Sequence, residues 1–137
     1  MKKINAKKGE FVDLFNGLIQ VKDLQGKDFG LVVGKNITIL QQNLKDLEDA
    51  GRPSKEFLQL SLEVNSITNK DSEEGKEQLD KLEKDNKKLV EERRTQLDDL
   101  AKLMEESMEM ELYTIEEDKL PDNISGSQVM NINKILM

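Results

Sequence analysis

The chain has 137 residues, with 28 acidic and 21 basic side chains, a net charge of -7, and 36% charged against 36% hydrophobic residues. It contains no His and no Cys, which excludes His/Cys zinc sites, thiol chemistry, disulfides and triads with a histidine base. Four Phe, one Tyr and no Trp leave little material for one thick core, so the composition points to long amphipathic helices with solvated faces.

Residues 2–8 hold four lysines and no acid. Glu10 and Asp13 interrupt any apolar run after them, so no signal peptide is expected. No apolar run approaches the ~20 residues that cross a bilayer, and neither secretion nor a membrane partner is expected. A first helix is predicted over 9–24, where Phe11, Leu14, Phe15, Leu18 and Val21 recur at steps of three and four. Gly26 stops it and Asp28 is placed to cap a second helix. That helix carries Phe29, Val33, Ile37, Leu40, Leu44 and Leu47 and ends at Gly51-Arg52-Pro53. Ser54 opens a third helix with Phe57, Leu60, Val64 and Ile67 on one face. Asn69-Lys70-Asp71-Ser72 interrupts, and Asp71 with Glu74 has capping-box spacing.

From there to about Glu109 the pattern reads as one long helix. Leu79, Leu82, Leu89, Val90, Leu97, Leu100, Leu103 and Met104 form its stripe, and Asn86 and Arg93 fall where apolar residues are expected. Between 69 and 99, 19 of 31 residues are charged and five are apolar, the composition of a solvated coiled-coil arm. A helix over 72–109 spans ~57 Å, whereas a compact chain of this length is under ~40 Å across. An elongated molecule is therefore expected. Asn86 and Arg93 disfavour a simple dimeric zipper, so the hairpin is expected within the chain, with the second helix as neighbour of the long one.

At residue 110 the character changes. Met110 to Glu116 partly alternates and places Tyr, Thr and Ile in a row, predicting a strand over 110–116. Pro121-Asp122-Asn123 predicts a turn, and Ser125 with Gln128 a capping box opening a last short helix with Val129, Ile132 and Leu136 on one face. The strand needs a partner: residues 2–5, another copy of the chain, or a different protein. Residues 105–118 hold seven acidic groups and no basic one. This acidic stretch and the basic start either serve solubility or attract each other, within a chain or between chains.

Several fragments resemble chemistry without carrying it. Gly30 to Asn36 (GLVVGKN) is one residue short of a phosphate-binding loop and has Asn in place of the Mg²⁺-binding hydroxyl; Gly30 and Gly34 read instead as points of close approach for another element. Asp28-Phe29-Gly30 stands without the other kinase signatures. Glu116, Glu117, Asp118 and Asp122 lack calcium-loop spacing, and no metal site, cofactor, catalytic group or small-molecule substrate is expected. Met104, Met108, Met110, Met130 and Met137 are either adaptable contacts or core filling under the strand. The alternating charges of 69–99 oppose a DNA mimic, and the acidic balance opposes nucleic acid as a partner.

The stretches FNGLIQVKDLQGKDFGLVVGKNITILQQNL (15–44) and EMELYTIEEDKLPDNISGSQVMNINKIL (109–136), with their order of elements, resemble a family of small, uncharacterised bacteriophage proteins whose genes lie near virion-assembly genes. The family pattern is a short helix, an aliphatic segment with a Lys-Asn pair, a charged helical hairpin, an acidic strand and a short C-terminal helix. The resemblance implies phage origin and a virion or assembly role, located in the virion or in the host cytoplasm during assembly. It transfers no functional residues. The expected fold is mainly α: an elongated antiparallel helical hairpin with a small α/β end of one or two short strands and a short C-terminal helix. One domain over 1–137 is expected, divided into helices (9–51), a coiled-coil arm (54–109) and the strand with its helix (110–137). The expected function is a non-enzymatic virion structural or assembly protein, docking on other virion proteins or on copies of itself. The alternative is an acidic phage-encoded inhibitor or adaptor that binds a host protein. Leu112, Tyr113, Thr114, Ile115, Val129, Ile132 and Leu136 are the expected partner-binding residues, through strand addition at 110–116.

Overall fold

In the computed structural model, which describes residues 1–137, the elements run β1 (Lys2–Lys7), α1 (Lys8–Val21), α2 (Lys27–Asn43), α3 (Lys45–Gly51), α4 (Lys55–Ser66), α5 (Glu73–Asp85), α6 (Lys87–Met104), β2 (Ser107–Leu112) and α7 (Gly126–Asn131). Short 3-10 turns occupy Glu117–Lys119 and Asn133–Ile135. The fold is mainly α, with a two-stranded antiparallel ribbon at a small α/β end built from both ends of the chain. The chain divides into two compact units, one of 1–47 with 102–137 and one of 48–101.

The first unit holds nearly all the core. Phe11, Leu14, Leu18 and Val21 of α1 and Phe29, Val33 and Leu40 of α2 are buried with Met110, Leu112, Ile115, Ile132 and Ile135. Each such side chain contributes about 1.5–3 kcal/mol relative to exposure, so burial here is the main driving force. Gly26, at φ 139, turns the chain between α1 and α2. The second helix therefore starts at Lys27, and Asp28 lies in its first turn, paired with Lys119 at 3.2 Å, instead of capping it. At Gly17 a methyl group would stand 3.0 Å from Asn131, so this glycine is what lets α1 and α7 touch.

The second unit is a helical hairpin with almost no core: Leu60 is its one buried apolar side chain. Ser54 Oγ accepts from the Phe57 N–H at 3.1 Å and starts α4. The cap of α5 is Ser72, whose Oγ accepts from the Gly75 N–H at 3.1 Å, one residue later than the Asp71 expected from spacing. A side chain at Gly75 would run into the Asn69 carbonyl, so the reversal at 67–72 lies against the first turn of α5. α5 and α6 continue one another across Asn86, whose N–H donates to the Leu82 carbonyl and whose carbonyl accepts from Val90 N–H. The long helix thus exists with an irregularity at Asn86, and it ends at Met104, short of Glu109.

Within this unit the stripe of the long helix faces α4, with Phe57, Leu60 and Val64 opposite Leu82 and Val90 around a groove of about 350 Å³. α4 is its neighbour within this unit, and the stripe of α2, expected to face it, is buried in the first unit's core. Arg93, one of the two polar residues in the stripe, and its neighbour Gln96 serve the end of α3. Arg93 donates to the Gly51 carbonyl at 2.9 Å and its guanidinium lies over the Phe57 ring. Gln96 donates to the carbonyls of Ala50 and Arg52 at 2.9 and 2.7 Å. Together they satisfy the carbonyls that the C-terminus of α3 leaves without helical partners.

Candidate docking interface

β1 and β2 pair antiparallel with Ile4 opposite Met110, Ala6 opposite Met108 and Lys7 opposite Ser107. The ribbon is two-faced, as side-chain alternation requires. Ile4, Ala6, Met108, Met110 and Leu112 turn toward the core, while Lys3, Asn5, Lys7, Ser107, Glu109 and Glu111 are exposed. The phase of the backbone bonds follows from one contact. Lys8 N–H donates to the Glu106 carbonyl at 2.9 Å, and Lys8 stands opposite Glu106 in the same register. In an antiparallel ladder bonded and non-bonded pairs alternate, so the even-numbered residues bond across the ribbon. The N–H and C=O groups of Lys3, Asn5 and Lys7 point outward from β1, and those of Ser107, Glu109 and Glu111 outward from β2. Lys7 agrees independently, since its N–H donates to Glu10 Oε2 at 2.8 Å, away from β2.

The same outward edge of the β2 chain explains why the strand ends at Leu112 instead of running over 110–116. At Tyr113 it is taken by the fully buried Asn36 of α2, which donates from Nδ2 to the Tyr113 carbonyl at 2.9 Å and accepts from its N–H at 2.8 Å. One amide side chain thereby imitates a neighbouring strand. Lys35 places its ammonium 4.9 Å from the Tyr113 ring centre. At Ile115 the edge is taken by the C-terminal segment: Ile115 N–H donates to the Ile135 carbonyl at 2.9 Å, and Met137 N–H to the Ile115 carbonyl at 3.0 Å. The Lys35-Asn36 pair therefore anchors the strand's exit. Gly30 and Gly34 are not points of close approach, because a methyl group at either would meet nothing within 4 Å.

Of the expected partner-binding residues, Leu112, Ile115 and Ile132 are buried and belong to the core. They fix the ribbon and are not available to choose a partner. Tyr113, Thr114, Val129 and Leu136 keep part of their surface, but the backbone edge at 113 and 115 is already filled. The unfilled edge lies earlier, at Ser107, Glu109 and Glu111, which make no backbone bond to any other element. Ser107 and Glu109 precede the expected strand but lie in the acidic stretch 105–118, and Asn36, noted only as part of a Lys-Asn pair, lies 77 residues from its bonding partner. The methionines divide: Met110 is buried, whereas Met130 and Met137 are 73% and 72% exposed.

The basic and acidic stretches meet within the chain. Lys7 pairs with Glu105 at 2.7 Å, and Lys8 with Asp46 and Glu106 at 3.0 and 3.3 Å. The Glu105 carboxylate bonded to Lys7 raises that ammonium above the usual lysine value, and Asp46 does the same for Lys8. Glu10 is held below the usual carboxyl range, first by the Lys7 N–H and then by Lys134. Lys2, Lys3, Glu109 and Glu111 enter none of the chain's ion pairs. Glu116, Glu117, Asp118 and Asp122 do not converge as a group that would hold a metal ion, and no helix is long and apolar enough to cross a membrane. No protein-family model, curated protein or solved structure matches the chain.

Proposed function

We propose that this chain is a non-enzymatic protein-docking module, and that it serves as a bacteriophage virion structural or assembly protein. The observation that carries the docking reading is the outer edge of β2: the outward-facing peptide groups of Ser107, Glu109 and Glu111, unpaired, with the Glu109 and Glu111 carboxylates outside the chain's ion pairs. An extended segment added there gains main-chain hydrogen bonds, and the carboxylates select a basic one and make association depend on salt. The phage assignment rests on the resemblance of 15–44 and 109–136 alone. A second reading, an acidic phage-encoded inhibitor or adaptor that binds a host protein, uses the same edge and differs in where the chain ends up. Mass spectrometry of purified virions separates the two. The assembly reading expects the chain there at a defined copy number; its absence from virions, with recovery on a host protein, overturns that reading.

The variant that tests the edge is Glu109→Pro. Its N–H faces outward, so proline removes a docking donor without touching the bonds to β1. Loss of the variant from virions is expected. Undiminished incorporation would put the interface elsewhere.

A further inference from the structure

The two outer edges of the ribbon are complementary to each other. The β1 edge offers the free peptide groups of Lys3 and Asn5 with Lys2 beside them, and there is no acid between residues 2 and 8. The β2 edge offers those of Ser107, Glu109 and Glu111, with no base between 105 and 118. Within one chain these edges face away from each other, so they can meet only between chains. We infer that the occupant of the β2 edge is the β1 edge of a second copy, extending the ribbon copy to copy. The inference rests on the reading of β2 as a docking edge.

Charge selects this pairing over the symmetric ones. Two β2 edges would bring Glu109 and Glu111 against their own kind, and two β1 edges would oppose lysines; like charges directly opposite are destabilising. The pairing of β1 with β2 is head-to-tail, so it leaves one free edge of each kind and closes only if the rotation per copy makes a ring. Glu10 occupies the Lys7 N–H and Asn36 occupies Tyr113. These side chains bound the contact at both ends and hold it to Lys3 and Asn5 of one copy against part of Ser107, Glu109 and Glu111 of the next. So short a contact draws much of its affinity from the lysine–glutamate approach. Charges on an edge strand also serve to repel other strands, and a chain that never associates would assign them that role.

The experiment is sedimentation of the full chain across concentration and salt, with two single-edge variants. Asn5→Pro removes an outward donor of β1, and Glu109→Pro one of β2; neither N–H bonds across the ribbon. The wild type is expected above its monomer mass of 15.7 kDa at low salt, growing with concentration and returning to monomer as salt rises. Each variant alone is expected to remain a monomer. Mixed in equal amounts they should give a species of twice that mass and nothing larger, because one intact edge of each kind remains. Glu109→Lys with Glu111→Lys repeats the β2 block if a proline variant fails to fold. A wild type that is monomeric at low salt and every concentration overturns the inference, as does a mixture that stays monomeric. If the wild type is monomeric while Glu109→Pro still drops out of virions, self-pairing fails and docking on another protein stands. If the wild type associates through this edge while Glu109→Pro enters virions unchanged, self-pairing stands and virion docking at β2 fails.

Discussion

Asn36 carries a large local burden for one uncharged side chain. It is fully buried and supplies both hydrogen bonds of the peptide groups of the half-buried Tyr113, which no other group of the chain satisfies. Asn36→Ala is expected to cost about 2–3 kcal/mol, the penalty for stranding a buried donor and acceptor. It should also release the Tyr113 amide to rapid hydrogen exchange, while the even-numbered amides of β2 stay protected. Unchanged unfolding in denaturant would show that Tyr113 finds water instead. Glu10 carries a pH dependence. Its folded carboxyl titrates below its ordinary range, so its contribution is present at neutral pH and is lost as pH falls through that lowered value. Lys7 and Lys8 titrate higher than usual when folded; their contribution is complete below the ordinary lysine value and is lost as pH rises past the raised one. Glu10→Gln keeps an acceptor for the Lys7 N–H but cannot ionise. Thermal unfolding against pH should therefore show a shallower acid limb for the variant, and identical limbs would contradict the assignment.

The helices make opposite predictions for glycines that look alike in sequence. Gly34 meets nothing, so Gly34→Ala should stabilise the chain by up to about 1 kcal/mol through helix propensity alone. At Gly75 the same change drives a methyl group into the Asn69 carbonyl, and the loss should exceed that gain because the 67–72 reversal must shift. Chemical denaturation of the two variants tests both signs. Arg93→Ala uncovers the Gly51 carbonyl and the Phe57 ring and should cost about 1–2 kcal/mol. The sequence made some of this legible. Ser54 follows Pro53 as the start of its helix, Ser125 announces its cap by its spacing to Gln128, and the stripes of α1 and α2 name most of the first unit's core. The partner of the long helix was not legible, because periodicity identifies an apolar face without saying which of two equivalent stripes, on α2 or α4, lies opposite. The end of β2 was hidden for a related reason. Tyr113, Thr114 and Ile115 are strand-forming residues, and what stops the ladder is an asparagine on a distant helix together with the last residues of the chain.

For the molecule as a whole, the contrast between the units sets stability against function. With Leu60 as its one buried apolar side chain, the 48–101 unit has little burial to offset chain entropy. Its amides should exchange faster than those of α1 and α2, and equal protection would contradict that ordering. The unit that holds the core is the one that carries the ribbon. The central claim is that the outward peptide groups of β2 are the docking surface. Residue-resolved hydrogen exchange, measured on the dilute chain and on the chain within purified virions, tests it most directly. In the dilute chain, Ser107, Glu109 and Glu111 should exchange freely between protected neighbours at Met108, Met110 and Leu112. On assembly odd-numbered amides among these three should become protected while the even ones hardly change. Odd-numbered amides that exchange equally fast in both states, or a chain absent from virions, would contradict the account.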